Sequence, residues 1–444
     1  MVSCREDPNL VYDIKLLSAA PGRLTGSDVI HELSGMDLAM KLSYLKGVYF
    51  FNSQACQGLT IMQIKGSMFY WLNDYYTVCG RFQRTEAGRP YMKCNDCGVR
   101  IVEARCSKTV DEWLETRDCS LDNLLIYHSP IGPELFFSPS LYMQVTKFKC
   151  GGMSLGISWA HIIGDVYSAS ECLNSWGQFL AGLKSYGPLK LTKSPTGLAH
   201  SRSPSVGTKE PVSLTRVDPV GDLWVTANNC QMETFSFHLS ASQVSQLHSR
   251  IRGQSGIAKI PFFESLCAIM WQCIAKAKDG LEPKVVTLCK KDPSNPKDGI
   301  LSNSQIISSV KADSSVVDAD LKELATLLVD QTTEENSQIE EAVEKDNGVF
   351  DYVVYGAKLT LVDLEETNFY GLEWNGHKPE AVHYSIQGVG DEGAVMVLPW
   401  PKDSGTDGNI GRIVVVTLPE NEVVKLRFEL RKNGLILEDD YKAD

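Results

Sequence analysis

The chain has 444 residues, 43% hydrophobic and 22% charged, and this composition predicts a folded protein with room for two domains. Its formal net charge is -12 at pH 7, and an acidic surface repels phosphate backbones, so nucleic-acid binding is not expected. The sequence lacks a signal peptide at its start and the roughly 18 uninterrupted apolar residues of a membrane span, which predicts a cytoplasmic protein without a transmembrane segment.

The first half of the chain alternates helix and strand patterns. Apolar residues at helical spacing predict a helix over 64–76, and Gly80 is a plausible stop. Residues 141–149 have the alternating character of a strand, which Gly151 and Gly152 interrupt before a second strand over 153–159. A further helix is predicted over 165–183.

The clearest break in the sequence lies at about 185–225, where Ser, Pro and Gly are frequent and no periodicity is visible. This is the composition of a linker. We therefore expect an N-terminal domain over 1–190, a crossover linker over 191–224 and a C-terminal domain over 225–444.

The second half also mixes both kinds of element. The pattern predicts helices over 261–278 and 423–430, strands over 285–288 and 413–418, and one long acidic amphipathic helix over 318–347. Strands and helices in this order predict an α/β fold with mixed sheets.

The 13 cysteines form an odd, scattered set, which favours reduced and buried thiols. Cys94 and Cys97 make one CxxC motif, but a zinc site needs a second pair or two histidines at matching distance. We interpret it as a tight turn between two strands. His377 and His383 also lack supporting ligands, so surface turns explain them better and no metal is predicted.

The most informative local motif is His161-Ile-Ile-Gly-Asp165, which follows the predicted strand over 153–159. An HxxxD motif by itself is weak evidence, because a buried histidine bonded to a local carboxylate would have the same pattern. Its surroundings make it more specific.

Residues 144–168 closely resemble the signature segment of the plant BAHD acyltransferase family. Three other blocks, at 33–37, 72–81 and 263–278, are similar to conserved segments of that family and occur in the same order. Four ordered blocks across much of the chain make a chance resemblance improbable.

The resemblance implies two similar-sized chloramphenicol-acetyltransferase-like domains, joined by a crossover loop around a central solvent channel, with a segment near 374–398 packing with the first domain. It implies a coenzyme A thioester as substrate or ligand and no bound cofactor. His161 would be the general base that takes a proton from an acceptor hydroxyl or amine, which then attacks the thioester. Asp165 would complete the catalytic pair.

The second signature of the family is degenerate here. In the matching stretch only Lys378 and Pro379 are kept, while Glu373 keeps a charge and Trp374 an aromatic ring. Asn303 falls at an asparagine of another family segment. The resemblance implies that Asn303, Glu373, Trp374 and Lys378 line the substrate or coenzyme A channel.

A further departure concerns the partner of Asp165. In the family this carboxylate pairs with an arginine, but Cys289 occupies the matching position here. A buried carboxylate without its cation is costly or becomes protonated. Either Lys290 or Lys291 reaches Asp165, or local amides hold it.

An intact first signature with a degenerate second one resembles the eceriferum/glossy branch of the family, as do residues 34–42 and 368–379. That branch is linked to cuticular wax, where its members promote elongation of very-long-chain acyl-CoAs beside a ketoacyl-CoA synthase of the endoplasmic reticulum. In some members the histidine is dispensable.

Two functions follow from the resemblance. The first is an accessory or modulator of the ketoacyl-CoA synthase, monomeric on its own and recruited to the endoplasmic reticulum. The alternative is an acyl-CoA-dependent O- or N-acyltransferase with His161 as its base. The sequence leaves the acyl chain length, the acceptor and the need for a partner open.

Overall fold

Two mixed β-sheets organise the chain, and each packs against helices. A computed structural model describes residues 10–26, 28–116, 120–183, 210–252, 260–278, 280, 282–294, 301–401 and 411–436. The strands are β1 Val11–Ala19, β2 Ile30–His31, β3 Tyr44–Phe51, β4 Arg81–Arg84, β5 Pro90–Lys93, β6 Val99–Cys106, β7 Leu141–Lys147, β8 Met153–Ala160, β9 Thr215–Val217, β10 Met232–Leu239, β11 Val285–Lys290, β12 Ile306–Lys311, β13 Thr333–Glu334, β14 Asp351–Val353, β15 Leu359–Asp363, β16 Ala381–Gln387, β17 Ala394–Pro399 and β18 Arg412–Pro419. The α-helices are α1 Gly35–Ala39, α2 Ile61–Asp74, α3 Val110–Leu114, α4 Val166–Leu180, α5 Ala241–Arg252, α6 Phe262–Ala277, α7 Leu321–Asp330, α8 Asn336–Lys345 and α9 Glu420–Lys432.

The first sheet has six strands in the order β1-β6-β7-β8-β3-β16. Strands β6 and β7 are parallel, and the other neighbours are antiparallel. Helices α2 and α4 share its hydrophobic core. Helix α2 begins at Thr60, whose side chain and that of Gln63 form a capping box.

The second sheet has seven strands in the order β10-β18-β17-β15-β11-β12-β13. Strand β15 is parallel to both β11 and β17, whereas the other pairs are antiparallel. Helices α6, α7 and α9 contribute to its core. The predicted helix over 261–278 and strand over 413–418 are therefore confirmed, each with bounds shifted by a residue or so.

Strand β16 connects the two halves of the sequence. It comes from the second half of the chain but pairs with β3 at the edge of the first sheet, with Val48 opposite His383. The next strand, β17, lies in the second sheet. Of the predicted linker, residues 191–209 lie outside the described residues, and β9 within it pairs with β14.

The single long helix predicted over 318–347 is wrong. The structure has α7 and α8, separated by β13, which pairs with β12. Between them the N–H of Glu335 donates to the carbonyl of Ile307 at 2.8 Å, and its carboxylate accepts from Ser213 and Ser309. The backbone therefore bonds to the sheet there, and a continuous helix would lose those bonds.

The CxxC motif forms the turn between β5 and β6, as predicted. Cys94 is buried and Cys97 exposed, and Asp96 has a left-handed φ of 54°. The Asp96 carboxylate accepts hydrogen bonds from the backbone and hydroxyl of Thr25 at 2.7 and 2.6 Å. These bonds hold the turn to the loop that contains Thr25.

A buried ion pair joins the two halves and the connection between them. Lys41, just after α1, lies 2.5 Å from the carboxylate of Asp351 at the start of β14. Both side chains are almost fully buried, and burial lowers the pKa of Lys41 although Asp351 opposes that shift. The same carboxylate accepts from the N–H of Val220 at 2.8 Å. Loss of either partner would leave an unpaired charge in the interior.

We expect Lys41→Met to lower the free energy of unfolding by about 3–5 kcal/mol, because the Asp351 carboxylate would remain buried without its cation. Urea denaturation followed by circular dichroism measures this change. The double variant Lys41→Met with Asp351→Leu should recover much of the loss. Lys15→Met, which removes an exposed pair with Asp13, is the control and should cost less than about 1 kcal/mol. Equal costs for the two single variants would contradict the expectation.

Candidate functional site

His161 lies in the turn that follows β8, at the contact between the two halves of the chain. Its N–H donates to the carbonyl of Ser43 at 3.0 Å, and its side chain is fully buried. The Nε2 atom lies 3.0 Å from the hydroxyl of Tyr355, which comes from the second half. The amide of Gln305 lies against the same hydroxyl, with its nitrogen at 2.8 Å and its oxygen at 3.0 Å.

These contacts define the protonation of His161. Burial lowers its pKa to about 4, although hydrogen bonding with its own backbone and with the Asn303 side chain opposes the shift, so the imidazole is neutral at pH 7. Its Nδ1 atom is buried and has no hydrogen-bond partner among the described residues. A neutral imidazole can act as a base, but its Nε2 can accept a proton from a substrate only if Tyr355 moves away.

Asp165 is held by local amides, which decides between the two alternatives left by the sequence. It caps α4 by accepting from the N–H of Ser168 at 2.9 Å. Its other oxygen accepts from the N–H groups of Ser304 and Gln305 at 3.0 and 3.1 Å. Burial raises the pKa of this carboxyl, and the hydrogen bonds oppose the shift.

Among the described contacts of the chain, neither neighbouring lysine pairs with that carboxylate. Lys290 forms an ion pair with Glu264, and Lys291 lies 6.0 Å from the ring centre of Tyr167. Cys289, where the family has arginine, is buried, and burial raises the pKa of its thiol to about 12. The thiol is therefore protonated and uncharged at neutral pH.

Asn303 links His161 to Asp37, which lies in the 33–37 segment that is similar to a conserved segment of the family. Its side-chain nitrogen donates to the Asp37 carboxylate and to the carbonyl of His161, both at 2.9 Å. Asp37 in turn forms a capping box with Ser34 at the start of α1. Asn303 therefore positions the backbone of His161.

The other three predicted channel residues lie away from His161. Glu373 packs its backbone against Gly177, so closely that a Cβ on the glycine would lie 3.3 Å from the Glu373 nitrogen. Gly177 is about 18 Å along α4 from Asp165 at 1.5 Å per residue. Trp374 is buried and stacks on Phe51 with 4.1 Å between ring centres.

Trp374 also begins a tight hairpin. Its N–H and carbonyl bond those of His377, each at 2.9 Å, around Asn375 and Gly376, which have φ of 49° and 77°. This is the Asn-Gly turn that hairpins favour. Lys378 follows the hairpin and is exposed, as is Glu373. Their role in a channel stays a prediction.

Sequence reasoning did not identify Tyr355 and Gln305, which surround the imidazole of His161. Nothing in the local pattern singles them out, because Tyr355 follows an apolar run and Gln305 precedes a strand without any motif. Their role depends on a contact between residues 194 positions apart. Among the described residues, no cluster of three His, Cys, Asp or Glu side chains is suited to hold a metal.

A cavity of about 780 Å³ opens beside the motif, between the two sheets. Its lining includes Leu42 and Tyr44, which flank the Ser43 carbonyl that holds His161. His161 and Asp165 themselves are not part of the lining. The cavity therefore reaches the neighbourhood of the motif but not its imidazole.

Comparison with known proteins identifies the family. The Transferase family matches residues 24–432. The chain belongs to the BAHD acyltransferase family. Within that family it is similar to Protein ECERIFERUM 26 of Arabidopsis thaliana, with 43% identity over 96% of each chain. This confirms the resemblance to the eceriferum branch.

Solved structures confirm the fold of a BAHD protein. The crystal structure of vinorine synthase superposes with a TM-score of 0.68 and 18% identity, covering 97% of this chain and 99% of that one. TRI101 of F. graminearum, crystallised with ethyl coenzyme A, has a TM-score of 0.67 and 11% identity, covering 91% and 98%. In the described part of the chain, no helix is both long enough and apolar enough to cross a membrane.

The depressed pKa of His161 predicts a pH-dependent loss of stability. Between pH 6.5 and about 4 the unfolded chain binds a proton that buried His161 does not, so stability should fall as the pH falls through this window. The contribution is about 3 kcal/mol. In His161→Gln the stability lost between pH 7 and 4.5 should be smaller than in the wild type, measured by urea denaturation. His377→Gln, in the exposed hairpin, should keep the wild-type dependence. An unchanged dependence in His161→Gln would contradict the assignment.

Proposed function

We propose that this protein is an accessory of very-long-chain acyl-CoA elongation for cuticular wax, and that it modulates a ketoacyl-CoA synthase at the endoplasmic reticulum. Its similarity to an ECERIFERUM protein over nearly the whole chain supports a role in wax metabolism. The soluble acyltransferase fold supports recruitment by a partner. In this proposal the chain is cytoplasmic and monomeric before it is recruited.

The observation that carries this proposal is the enclosure of His161. Its Nε2 atom is bonded to Tyr355, its side chain is fully buried, and the neighbouring cavity does not include it in its lining. A general base must come within hydrogen-bond reach of the proton that it takes. With His161 enclosed in this way, the motif holds the two halves of the chain together. That role does not need an acyl acceptor.

The surroundings of Asp165 support the same conclusion. Neutral backbone amides hold its carboxylate, and the family's arginine position is occupied by an uncharged thiol at Cys289. A fixed carboxylate that caps α4 stabilises the turn after His161. Erosion of the second signature is also compatible with a fold that has been reused for a new role.

Acyl-CoA is the proposed ligand. One solved structure of the same fold holds ethyl coenzyme A, and another is a complex with coenzyme A and deoxynivalenol. In an accessory role the thioester would be bound and presented, and no transfer step would be needed. The residues proposed for this channel are Asn303, Glu373, Trp374 and Lys378.

An acyl-CoA-dependent O- or N-acyltransferase is the second candidate, and the protonation of His161 favours it. The imidazole is neutral at pH 7 because burial lowers its pKa to about 4. If the Tyr355 hydroxyl moved aside, Nε2 could take the acceptor proton while the acceptor attacks the thioester. The acyl group would pass to the acceptor and coenzyme A would leave with a proton.

Co-expression with a plant ketoacyl-CoA synthase in yeast separates the two candidates. We expect the wild type, His161→Gln and Tyr355→Phe to lengthen the fatty-acid products equally, because the accessory role does not use the imidazole. Gas chromatography of total fatty acids measures the chain-length profile, and immunoblots show that the variants accumulate.

Other outcomes have distinct meanings. If His161→Gln loses the lengthening at an unchanged protein level while Tyr355→Phe keeps or increases it, the imidazole is catalytic and the transferase candidate replaces the proposal. If the wild type does not change the profile and does not co-purify with the synthase, the accessory proposal is wrong.

A further inference from the structure

The cavity beside the motif contains a second histidine and carboxylate pair. Its volume of about 780 Å³ lies in the range of small-molecule sites, about 300–1,000 Å³. One wall consists of β3 and β16 from the first sheet, and the opposite wall consists of β10 and β18 from the second. Much of the lining is apolar, including Val48, Ile126, Met232, Ile413 and Val415.

His383, on β16, is bound and oriented by Asp122. Its Nδ1 atom lies 2.7 Å from one oxygen of the Asp122 carboxylate. The other oxygen accepts from the indole N–H of Trp113 at 3.0 Å. With Nδ1 used in this way, Nε2 lies on the opposite side of the ring and has no hydrogen-bond partner among the described residues. His383 lines the cavity, so this nitrogen is available to a ligand there, whereas that of His161 is not.

Asp122 also favours the charged form of His383. Burial by itself lowers the pKa of His383, but the attraction and hydrogen bond of Asp122 outweigh it, and the pKa is raised above its usual value. A protonated ring presents Nε2–H as a charge-assisted donor.

Lys46 lies on the same face of the sheet. On the paired strands Val48 is opposite His383 and Lys46 is opposite Ser385, so Lys46 and His383 are diagonal neighbours. Such neighbours are about 7–8 Å apart, and a long side chain spans that distance. The Lys46 ammonium lies 3.3 Å from the side-chain oxygen of Asn123, also in the lining.

Two other lining residues have unused polar atoms. His128 Nε2 and Gln387 Oε1 are buried and have no hydrogen-bond partner in the described part of the chain. The lining has two acidic residues, and both are paired: Glu233 with Arg427 at 2.9 Å and Asp122 with His383 at 2.7 Å. The cavity therefore combines apolar walls with the Lys46 ammonium and with His383, whose protonated form Asp122 favours. An ammonium and a charge-assisted imidazole donor at one wall favour an anionic group.

We infer that this cavity binds an amphiphile whose anionic head, a carboxylate or a phosphate, lies between His383 Nε2–H and the Lys46 ammonium, with its apolar body along Val48, Ile126 and Val415. The site goes beyond the proposed function and does not depend on the ketoacyl-CoA synthase or on His161. Failure of the yeast experiment would leave it unaffected, because its test uses the purified chain alone.

Calorimetric titration of the purified full chain tests the inference with decanoate, decyl phosphate and the neutral 1-decanol. We expect at least one of the anionic probes to bind about tenfold more tightly than 1-decanol, which lacks the charge-assisted bonds. A preference for decanoate would identify a carboxylate head, and a preference for decyl phosphate would identify a phosphate head. Equal affinities for 1-decanol and both anions, or no binding of any probe, would overturn the inference.

Matched variants locate the site. His383→Gln and Lys46→Met should each weaken binding of the preferred anion about tenfold and leave that of 1-decanol nearly unchanged. His377→Gln, in the exposed hairpin, is the control and should bind as the wild type does. Lys46→Met does not touch the Asp122 pair, so it keeps the test valid if His383→Gln fails to fold. Wild-type affinity in Lys46→Met and in any folded His383→Gln would overturn the assignment.

Discussion

The structure depends on satisfying the polar groups of the HxxxD segment where they are buried between the two halves. Asn303 donates to the carbonyl of His161, and the amides of Ser304 and Gln305 donate to Asp165. Because unpaired polar groups in an interior cost roughly 1–3 kcal/mol each, this set of bonds fixes how the halves meet. Strand β16 and the pair of Lys41 with Asp351 join the same halves at other points.

This constraint also shapes the chemistry of the molecule. His161 lies where the two halves of the chain meet and is held by partners on several sides. Its Nε2 atom is hydrogen-bonded to the hydroxyl of Tyr355. A histidine at the wall of a cavity, as His383 is, has one nitrogen fixed by a carboxylate and the other left for a ligand. The BAHD signature therefore coincides with the more enclosed of the two histidines. The histidine of the signature and the histidine at the cavity wall are therefore different residues. This is expected if the family fold keeps its framework while its binding surface changes.

Local pattern predicted many elements well. The helices α4 and α6 and the strands β7 and β8 have strong periodicity and clear stops, and their bounds differ from the prediction by a few residues. The long helix over 318–347 was wrong because its apolar period continues across a segment whose backbone pairs with β12. Helical spacing reports which side chains are apolar, and it does not report which hydrogen-bond partners the rest of the chain offers.

The sequence by itself determined the fold family, the mixed α/β architecture and the place of His161 and Asp165 at the end of a strand, because these depend on local motifs and their order. Tertiary structure alone decided that amides and not lysines hold Asp165, that Tyr355 covers His161, and that Asp122 meets His383 across 261 positions. Each of these contacts joins residues far apart in the chain. Their distances depend on how sheets and helices pack, which no local pattern of residues encodes.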